Sequence, residues 1–367
     1  KIRRDQQGNA IEILPYTHPV GDGVYAEAPI YIEIDRQTQE SYLEALKESA
    51  ENILRDVRFA VEDWPKMRGK LREALVVLDK KNTQCDPDEL SETKDFLRWL
   101  ENDHFTFLGY REYKVIGQGD EMALSIIPNT GLGVLRGSNT SKSYRPLAAL
   151  TPEARKLALS PQILITSKTN TRATVHRPVY TDYIDVKIFD ENSQLSKIMR
   201  FIGLYTSIAY HSNPKYIPFV RQKVATIIKN SNLSPTSHAG KALLNILETF
   251  PRDDLFQAPA DELFELTMGI LNLQERKVIR LFARKDIYGR FMSCLVFVPR
   301  ERFTTELAYA MQNVMQMAFD ALEISFSTRF SDSVLAQIHY TIRLDPKSNK
   351  EYNLKDVETK LIEVGRS

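Results

Sequence analysis

The sequence predicts a multidomain α+β protein in which β-rich units alternate with helical segments. Its 367 residues are enough for two or three domains of ordinary size. Apolar residues recur every second position in some stretches and every third or fourth in others, as in half-buried strands and amphipathic helices. Hydrophobic residues make up 43% and charged residues 26% of the chain, which is typical of folded globular domains.

Composition argues against several classes of partner. Lysine and arginine number 49 against 48 acidic residues, so the chain lacks the basic excess that drives non-specific nucleic-acid binding. The apolar run at 198–208 contains Arg200 and is shorter than the ~20 residues that span a bilayer. We therefore expect neither a nucleic-acid nor a membrane partner.

The start of the chain and its two cysteines indicate the cellular compartment. The chain starts at Lys1 and no apolar segment follows, so we expect no signal peptide and interpret the chain as an excised or processed piece. Cys85 and Cys294 are too few and too distant for a disulfide framework. Cys294 lies in an apolar run and is expected to be a buried small residue. This usage fits a reducing compartment.

The first hundred residues predict a strand and several helices. Ile30, Ile32 and Ile34 alternate with polar residues, as in a half-buried strand, and a helix that follows is expected to end at Pro65. Its apolar face contains Leu43, Leu46, Ala50, Ile53, Val57, Ala60 and Trp64. Either a coiled coil or a surface helix would show this spacing, and three heptads favour the surface helix. Further helices are expected over 67–78 and after Asp86, which makes 39–103 a helical connector.

A second β-rich unit is expected from residue 104 to 210. Strands are predicted at 104–110, 122–127, 162–166, 183–189 and 198–205, with a helix over 152–159 capped by Thr151. Strands, then a helix, then a three-stranded run is the order of PAS- or GAF-like sensor modules. Helical periodicity returns after Pro214, so 211–274 is predicted to be a second helical connector.

The C-terminal unit, 275–367, has the clearest pattern. Strands over 278–284 and 291–298 are joined by a short loop containing Gly289, and a helix is expected from Thr304. Two more alternating strands and a last helix near Leu354 follow. Strands with one polar face and helices on the other predict a ferredoxin-like α+β sandwich.

Catalytic and cofactor motifs do not appear in the sequence. The run GLGVLRG at 131–137 resembles a dinucleotide fingerprint, but Arg136 replaces its third glycine and no strand-to-helix passage surrounds it, so we expect a turn. The six histidines are scattered, and no local pattern of metal ligands or of an activated nucleophile is present. Asp253 and Asp254 are interpreted as a helix-capping pair. We predict no catalytic, cofactor-binding or metal-binding residue in this chain.

One basic cluster could bind anions. It contains Lys168, Arg172, His176 and Arg177, near the end of a predicted strand. It could hold an acidic metabolite or a phosphate. A solvated loop or an interdomain patch of salt bridges is the favoured alternative.

Several long strings resemble one enzyme family. They are FLRWL at 96–100, HFTFLGYREY at 104–113, TVHRPVY at 174–180, GKALLNILET at 240–249, RLFARKD at 280–286 and GRFMSCLV at 289–296. Together they resemble the N-terminal half of the large bacterial NAD-specific glutamate dehydrogenases, and the resemblance covers nearly the whole chain.

The resemblance implies a cytoplasmic parent enzyme that oxidises glutamate to 2-oxoglutarate and ammonium with NAD. Catalytic lysines and the NAD-binding domain of that family lie far C-terminal of this region, so the parent's C-terminal catalytic domain is the implied partner and this chain is expected to be inactive. It is similar to the family's regulatory portion, which is built of ACT-like and PAS-type modules separated by helices. On that basis 1–38 is the end of a first ACT-like domain, 104–210 a PAS-type module and 275–367 a further ACT-like domain.

The resemblance leads to two hypotheses. In the first, this is a regulatory and assembly region of a homo-oligomer, and it binds an amino-acid effector where two modules meet. Candidate contacts are Lys168, Arg172, His176, Arg177, Arg284, Asp286, Gly289 and Arg290. In the second, the region is a passive structural spacer that mediates oligomer contacts. The hairpin-first order of the last unit departs from a standard ACT domain, which leaves its effector site open.

Overall fold

The computed structural model describes residues 1–80, 86–117, 121–137, 144–192, 194–273, 276–331, 333–345 and 351–366. The chain divides into two compact units, residues 1–52 and 53–367. Cys85 lies outside the described residues. Within them, no helix combines the length and apolar character needed to cross a bilayer.

The first unit contains a small antiparallel sheet. Strands β1 (Ile2–Arg4), β2 (Ala10–Ile13) and β3 (Val24–Tyr25) pair with β1 in the centre. The strand predicted around Ile30, Ile32 and Ile34 is wrong, because residues 26–39 have no regular structure and these side chains are 73%, 76% and 49% exposed. Alternation suits a pleated strand, but a strand also needs a neighbour for its backbone hydrogen bonds, and the described part of the chain supplies none here.

Helix α1 (Glu40–Lys80) begins in the first unit and continues into the second. The prediction that it ends at Pro65 is wrong. Proline costs a helix interior about 3 kcal/mol, because it removes one N–H donor and crowds the preceding turn. The freed carbonyl belongs to Val61, which is 69% exposed and open to water. Beyond the proline, Met67 and Leu71 are fully buried, and at roughly 1.5–3 kcal/mol each their burial offsets that cost.

The second unit is built around a seven-stranded antiparallel sheet. Its strands are β4 (Phe105–Ile116), β5 (Ala123–Ile126), β6 (Leu132–Gly133), β7 (Tyr144–Pro146), β8 (Leu164–Arg172), β9 (Tyr180–Phe189) and β10 (Leu195–Tyr205). The order is β7-β5-β4-β10-β9-β8, with β6 paired to β4. The first and last long strands, β4 and β10, therefore lie side by side at the centre.

Alternation along β10 gives the sheet two different faces. Met199 and Phe201 enter the main hydrophobic core, together with Phe96 and Leu97 of α2 (Pro87–Trp99). The opposite face carries Ile198, Arg200 and Ile202 of β10 and borders a cavity. As predicted, Asp86 caps α2 by accepting a hydrogen bond from the backbone N–H of Asp88 at 2.9 Å.

Short helices surround this sheet. They are α3 (Pro152–Leu159), α4 (Ser207–His211), α5 (Val220–Asn230), α6 (His238–Thr249), α7 (Arg252–Gln257) and α8 (Ala260–Leu271). The predicted cap of α3 is confirmed, since Oγ1 of Thr151 accepts from the backbone N–H of Ala154 at 3.2 Å. Apolar side chains of α5 and α6 such as Val224 and Leu243 join the same core as the sheet.

The C-terminal sheet contains β11 (Arg280–Lys285), β12 (Phe291–Pro299), β13 (Glu323–Arg329) and β14 (Leu335–Arg343), in the antiparallel order β11-β12-β14-β13. Helices α9 (Thr305–Phe319) and α10 (Leu354–Val364) cover one face, with Cys294 and Tyr340 fully buried beneath them. Burial raises the pKa of the Cys294 thiol, as expected of a structural cysteine. The other face is not simply solvated, because Leu295 and Phe297 belong to the main core.

This sheet has a ferredoxin-like arrangement with a shifted starting point. If α10 were joined to β11 and the chain reopened between β11 and β12, the order would become β-α-β-β-α-β. The ends to be joined are adjacent, because a Cβ added to Gly365 would lie 2.1 Å from Cδ1 of Ile279. The hairpin-first order therefore preserves the sandwich.

Candidate functional site

The two groups of residues chosen from the sequence meet where the β11–β12 hairpin reaches the central sheet. Residues 286–290, here called the Gly289 loop, connect these strands. Nη2 of Arg290 donates to the carbonyl oxygen of Lys168 at 2.7 Å. Oγ1 of Thr151 donates to the carbonyl oxygen of Ile287 at 2.6 Å. The basic cluster and the loop are thus parts of one region.

A cavity of about 340 Å³, here called the junction cavity, lies between β8–β9 and the C-terminal sheet. Charged residues from both sides line it: Lys168, Arg172, Arg177, Asp182, Asp253, Glu323 and Arg343. Four cations thus face three carboxylates. A small molecule carrying both a carboxylate and an ammonium group would find a charge partner for each.

Lys168 is the centre of the buried charge network at this cavity. Its Nζ lies 3.0 Å from Oδ1 of Asp182 and 3.2 Å from Oδ2 of Asp253. Burial opposes its charge, but the two carboxylates outweigh burial and raise the pKa of Lys168. Burial raises the pKa of Asp182 to about 6, although the charge of Lys168 opposes the shift. One buried lysine thus faces two carboxylates at this cavity.

Three buried polar atoms near this network lack a hydrogen-bond partner among the described residues. They are Oδ2 of Asp182, Nε of Arg177 and the hydroxyl oxygen of Tyr205. Asp182 is only 3% exposed and lines the junction cavity. A buried acceptor without a donor costs about 1–3 kcal/mol, and an occupant's N–H group could recover that cost. Arg177 places an unused donor at the same cavity.

Arg172 reaches across the cavity to the C-terminal sheet. Its Nη2 pairs with Oε1 of Glu323, and its guanidinium lies 5.1 Å from the ring centroid of Tyr180. The hydroxyl of Tyr180 donates to Oε2 of Glu323 at 2.6 Å and accepts from Nη1 of Arg343 at 3.2 Å. Arg343 has no carboxylate within ion-pair distance in the described part of the chain, so its charge is available to an occupant.

His176 does not join these residues. It lies exposed in the turn between β8 and β9 with a φ of +70°, and it is not among the residues lining the junction cavity. The structure brings Lys168, Arg172 and Arg177 together and leaves His176 apart.

Arg284 makes buried contacts with two helices. Its Nη1 lies 3.0 Å from Oδ1 of Asp254 in α7, and its Nε lies 3.2 Å from Oε2 of Glu262 in α8. Oδ2 of Asp254 also accepts from the hydroxyl of Ser293 at 2.6 Å. These contacts connect β11 to the two helices, which is a structural task in itself.

Asp286 and Gly289 shape the loop that carries Arg290. Oδ1 of Asp286 accepts from the backbone N–H groups of Arg290 at 2.5 Å and Phe291 at 2.6 Å. Gly289 has a φ of +67°, which favours glycine. A groove of about 490 Å³ lies beside this loop, and Arg284, Asp286 and Gly289 line it.

Helix α7 supplies acids to both sides of the region and is held by a buried lysine. Asp253 forms an ion pair with Lys168, and Asp254 forms one with Arg284, so the two aspartates do more than cap α7. Nζ of Lys223 donates to the carbonyls of Leu255, Phe256 and Ala258 at 3.0, 2.9 and 2.8 Å. Burial and the nearby charge of Arg284 lower the pKa of Lys223 to about 7.

The glycine-rich run does not fit a dinucleotide. The predicted turn is confirmed, because residues 134–137 form a turn after β6, and the next described residues, Tyr144–Pro146, form strand β7 rather than a helix. Arg136 is paired with Asp63 of α1 at 2.5 Å and with Glu62 at 2.8 Å. A Cβ on Gly133 would lie 2.1 Å from the carbonyl oxygen of Leu108, so this glycine serves close backbone packing.

Sequence reasoning missed the acids that complete the region. Asp182 and Asp185 lie within the apolar strand β9, and an acid inside a buried strand is itself a signal. Glu323 and Arg343 occupy paired positions of β13 and β14, which only the strand register reveals. Among the described residues, no three histidine, cysteine, aspartate or glutamate side chains cluster as a metal site would require.

Two protein-family models match parts of this chain. Residues 280–367 match the family model of the glutamate dehydrogenase ACT2 domain, and residues 217–276 match that of glutamate dehydrogenase helical motif 1. The chain is similar to part of a glutamate dehydrogenase. The ACT2 match begins with β11, so the junction cavity lies between an ACT-type sheet and the central sheet.

Three curated relatives are named NAD-specific glutamate dehydrogenase. The chain is 38% identical over 342 residues to the NAD-specific glutamate dehydrogenase of Halomonas elongata, a match that covers 93% of this chain and 21% of the relative. It is 37% identical over 366 residues to that of Pseudomonas aeruginosa, covering 100% and 22%. For that of Mycobacterium tuberculosis the identity is 26%, covering 94% and 20%. The chain spans about a fifth of the length of these relatives.

Proposed function

We propose that this chain is a non-catalytic regulatory and assembly region of an NAD-dependent glutamate dehydrogenase, and that an amino acid binds in the junction cavity. The parent enzyme converts L-glutamate to 2-oxoglutarate and ammonium with NAD, which binds outside this chain. The ACT2 and helical motif matches support the assignment, as do relatives that are about five times longer.

The single observation that carries the effector role is the pairing of unused groups in the junction cavity. Nε of Arg177 and the guanidinium of Arg343 can donate to a carboxylate, while Oδ2 of Asp182 can accept from an ammonium group. An α-amino acid has both groups on one carbon. A volume of about 340 Å³ lies in the range usual for small-molecule sites.

The position of the bound amino acid explains how it regulates the parent enzyme. The cavity lies between β8–β9 and the ACT-type sheet, so an occupant contacts both and favours the arrangement that fits it. The central unit is proposed to be a PAS-type module. A sheet with its first and last long strands side by side, and a helix between its two groups of strands, supports that proposal.

The test is a thermal-unfolding screen of the purified chain against the twenty amino acids. We expect one or a few to raise the melting temperature by a few degrees, because a ligand that binds only the folded state stabilises it. Arg343→Gln should abolish that rise. Arg302→Gln, which changes an exposed arginine outside the cavity, should leave it intact.

Two outcomes would overturn the proposal in different ways. A flat response to all twenty amino acids would leave the passive structural spacer, and sedimentation would then report its oligomer contacts. Formation of NADH from glutamate and NAD by this chain alone would contradict the division between regulatory and catalytic parts.

A further inference from the structure

A second cavity, here called the sheet cavity, lies on the face of the central sheet that carries Ile198, Arg200 and Ile202. Its volume is about 380 Å³, within the range usual for small-molecule sites. It is distinct from the junction cavity, although Arg172 borders both. Its composition predicts a different ligand.

One side of the sheet cavity is aliphatic. Leu124 of β5, Leu108 of β4 and Ile198 of β10 line it from the sheet. Val134 and Leu135 close it from the turn that follows β6. These side chains offer a ligand no hydrogen bond, so the part of a ligand that lies here must be apolar.

The charged pair on the sheet is already satisfied. Nε and Nη2 of Arg200 donate to the two carboxylate oxygens of Asp185, both at 2.7 Å. The guanidinium of Arg200 also lies 4.9 Å from the ring centroid of Tyr113 and 4.4 Å from that of Tyr183. A bidentate pair held between two rings presents little net charge to an occupant.

Arg290 adds a further guanidinium to the lining of the sheet cavity. It reaches the cavity from the Gly289 loop with only 12% of its side chain exposed. Its Nε makes no hydrogen bond within the described residues, and the nearest carboxylate oxygen, Oδ2 of Asp286, is 3.8 Å away. Asp286 is occupied by backbone N–H groups of its own loop. Arg290 is thus ion-paired with Asp286 at long range, and its Nε–H keeps a hydrogen-bond donor that no described residue accepts.

We propose that the sheet cavity binds a small monocarboxylic acid with an apolar body. The carboxylate pairs with Arg290, and the body lies against the aliphatic wall near Val134 and Leu124. Because Arg290 lies in the loop that connects two strands of the ACT-type sheet, and most of the wall belongs to the central sheet, this ligand bridges both. It would influence their arrangement independently of an amino acid in the junction cavity.

Titration calorimetry with the purified chain tests this with four probes. Hexanoate and 3-phenylpropanoate carry both features, acetate lacks the apolar body and hexan-1-ol lacks the carboxylate. We expect the first two to bind at least tenfold more tightly than the other two. Equal binding of hexanoate and hexan-1-ol would overturn the role of Arg290, and no binding of either acid would overturn the site.

Variants locate the binding. Val134→Phe fills the sheet cavity and should abolish hexanoate binding, whereas Val179→Phe, which fills the junction cavity instead, should leave it intact. Leu124→Phe provides the same test if Val134→Phe does not fold. Arg290→Gln should weaken hexanoate at least tenfold and leave hexan-1-ol unchanged. Undiminished hexanoate binding in Val134→Phe and Leu124→Phe would contradict the proposal. A response to amino acids is tested separately by Val179→Phe, because that substitution changes only the junction cavity.

Discussion

Nη1 of Arg284 lies 3.0 Å from Oδ1 of Asp254, and the two side chains are only 6% and 7% exposed. This buried ion pair connects the first strand of the ACT-type sheet to α7. The same helix carries Asp253, a partner of Lys168 on the central sheet. A helix of six residues thus joins two sheets by charge.

Removing one member of this pair should destabilise the chain strongly. Arg284→Met leaves the Asp254 carboxylate buried with Ser293 as its one side-chain donor among the described residues, and we expect the free energy of unfolding to fall by about 3–5 kcal/mol. Urea denaturation measures it. Lys277→Met is the control, since it breaks an exposed pair with Glu301 and should change the free energy of unfolding far less. Equal effects of the two substitutions would contradict a special role for burial.

A methyl group on Gly133 should be far more damaging than one on Gly137. Both glycines have positive φ, +61° and +68°, so alanine is strained at either position. At Gly133 the new Cβ would also lie 2.1 Å from the backbone oxygen of Leu108, whereas at Gly137 no atom of the described residues lies within 4 Å. We expect a loss of about 1 kcal/mol for Gly137→Ala and several times that for Gly133→Ala. Thermal unfolding of the two variants compares them directly, and similar melting temperatures would refute the close approach.

Lys223 should make stability depend on pH in the alkaline range. Burial lowers its pKa to about 7 in the folded chain, while the unfolded value stays near 10.4. Between these values the unfolded chain binds more protons, so the contribution of Lys223 to stability rises with pH. The wild type should therefore gain stability relative to Lys223→Met from pH 7 to pH 9.5. A constant difference between the two proteins over that range would show that the lysine is not perturbed.

Asp182 should act with the opposite slope in the acidic range. Its pKa is raised to about 6 by burial, above an unfolded value near 3.9. A raised acid stabilises the fold below its unfolded pKa, and that contribution is lost as the pH rises through 6. The wild type should lose stability relative to Asp182→Asn between pH 4 and pH 7. Denaturant midpoints at several pH values measure it, and a wild type that gains stability relative to Asp182→Asn as the pH rises would contradict the raised pKa of the buried carboxylate.

Local signals in the sequence predicted much of the fold. Asp86 and Thr151 mark the helix starts that the structure shows, because a capping side chain bonds to N–H groups two or three residues away. The helix end predicted at Pro65 was wrong because the contacts that decide it are not local. The local cost of the proline was offset by the burial of Met67 and Leu71 against residues distant in the chain, which periodicity cannot evaluate.

The candidate site was only half accessible to sequence reasoning. Lys168, Arg172 and Arg177 stand out because they are close together in the chain. Their partners do not, since Arg172 and Glu323 are separated by 151 positions and meet only through two folded sheets. Charge compensation of this kind depends on tertiary structure.

The contact between Gly365 and Ile279 has a consequence for how the ACT-type sandwich can be used. A folded unit whose entry and exit points touch needs no long linker to rejoin the surrounding polypeptide. Such a unit can be accommodated within a longer chain, or deleted from it, without stretching the segments on either side. Insertion or deletion of the whole sandwich during evolution therefore requires little change in the length of the flanking segments.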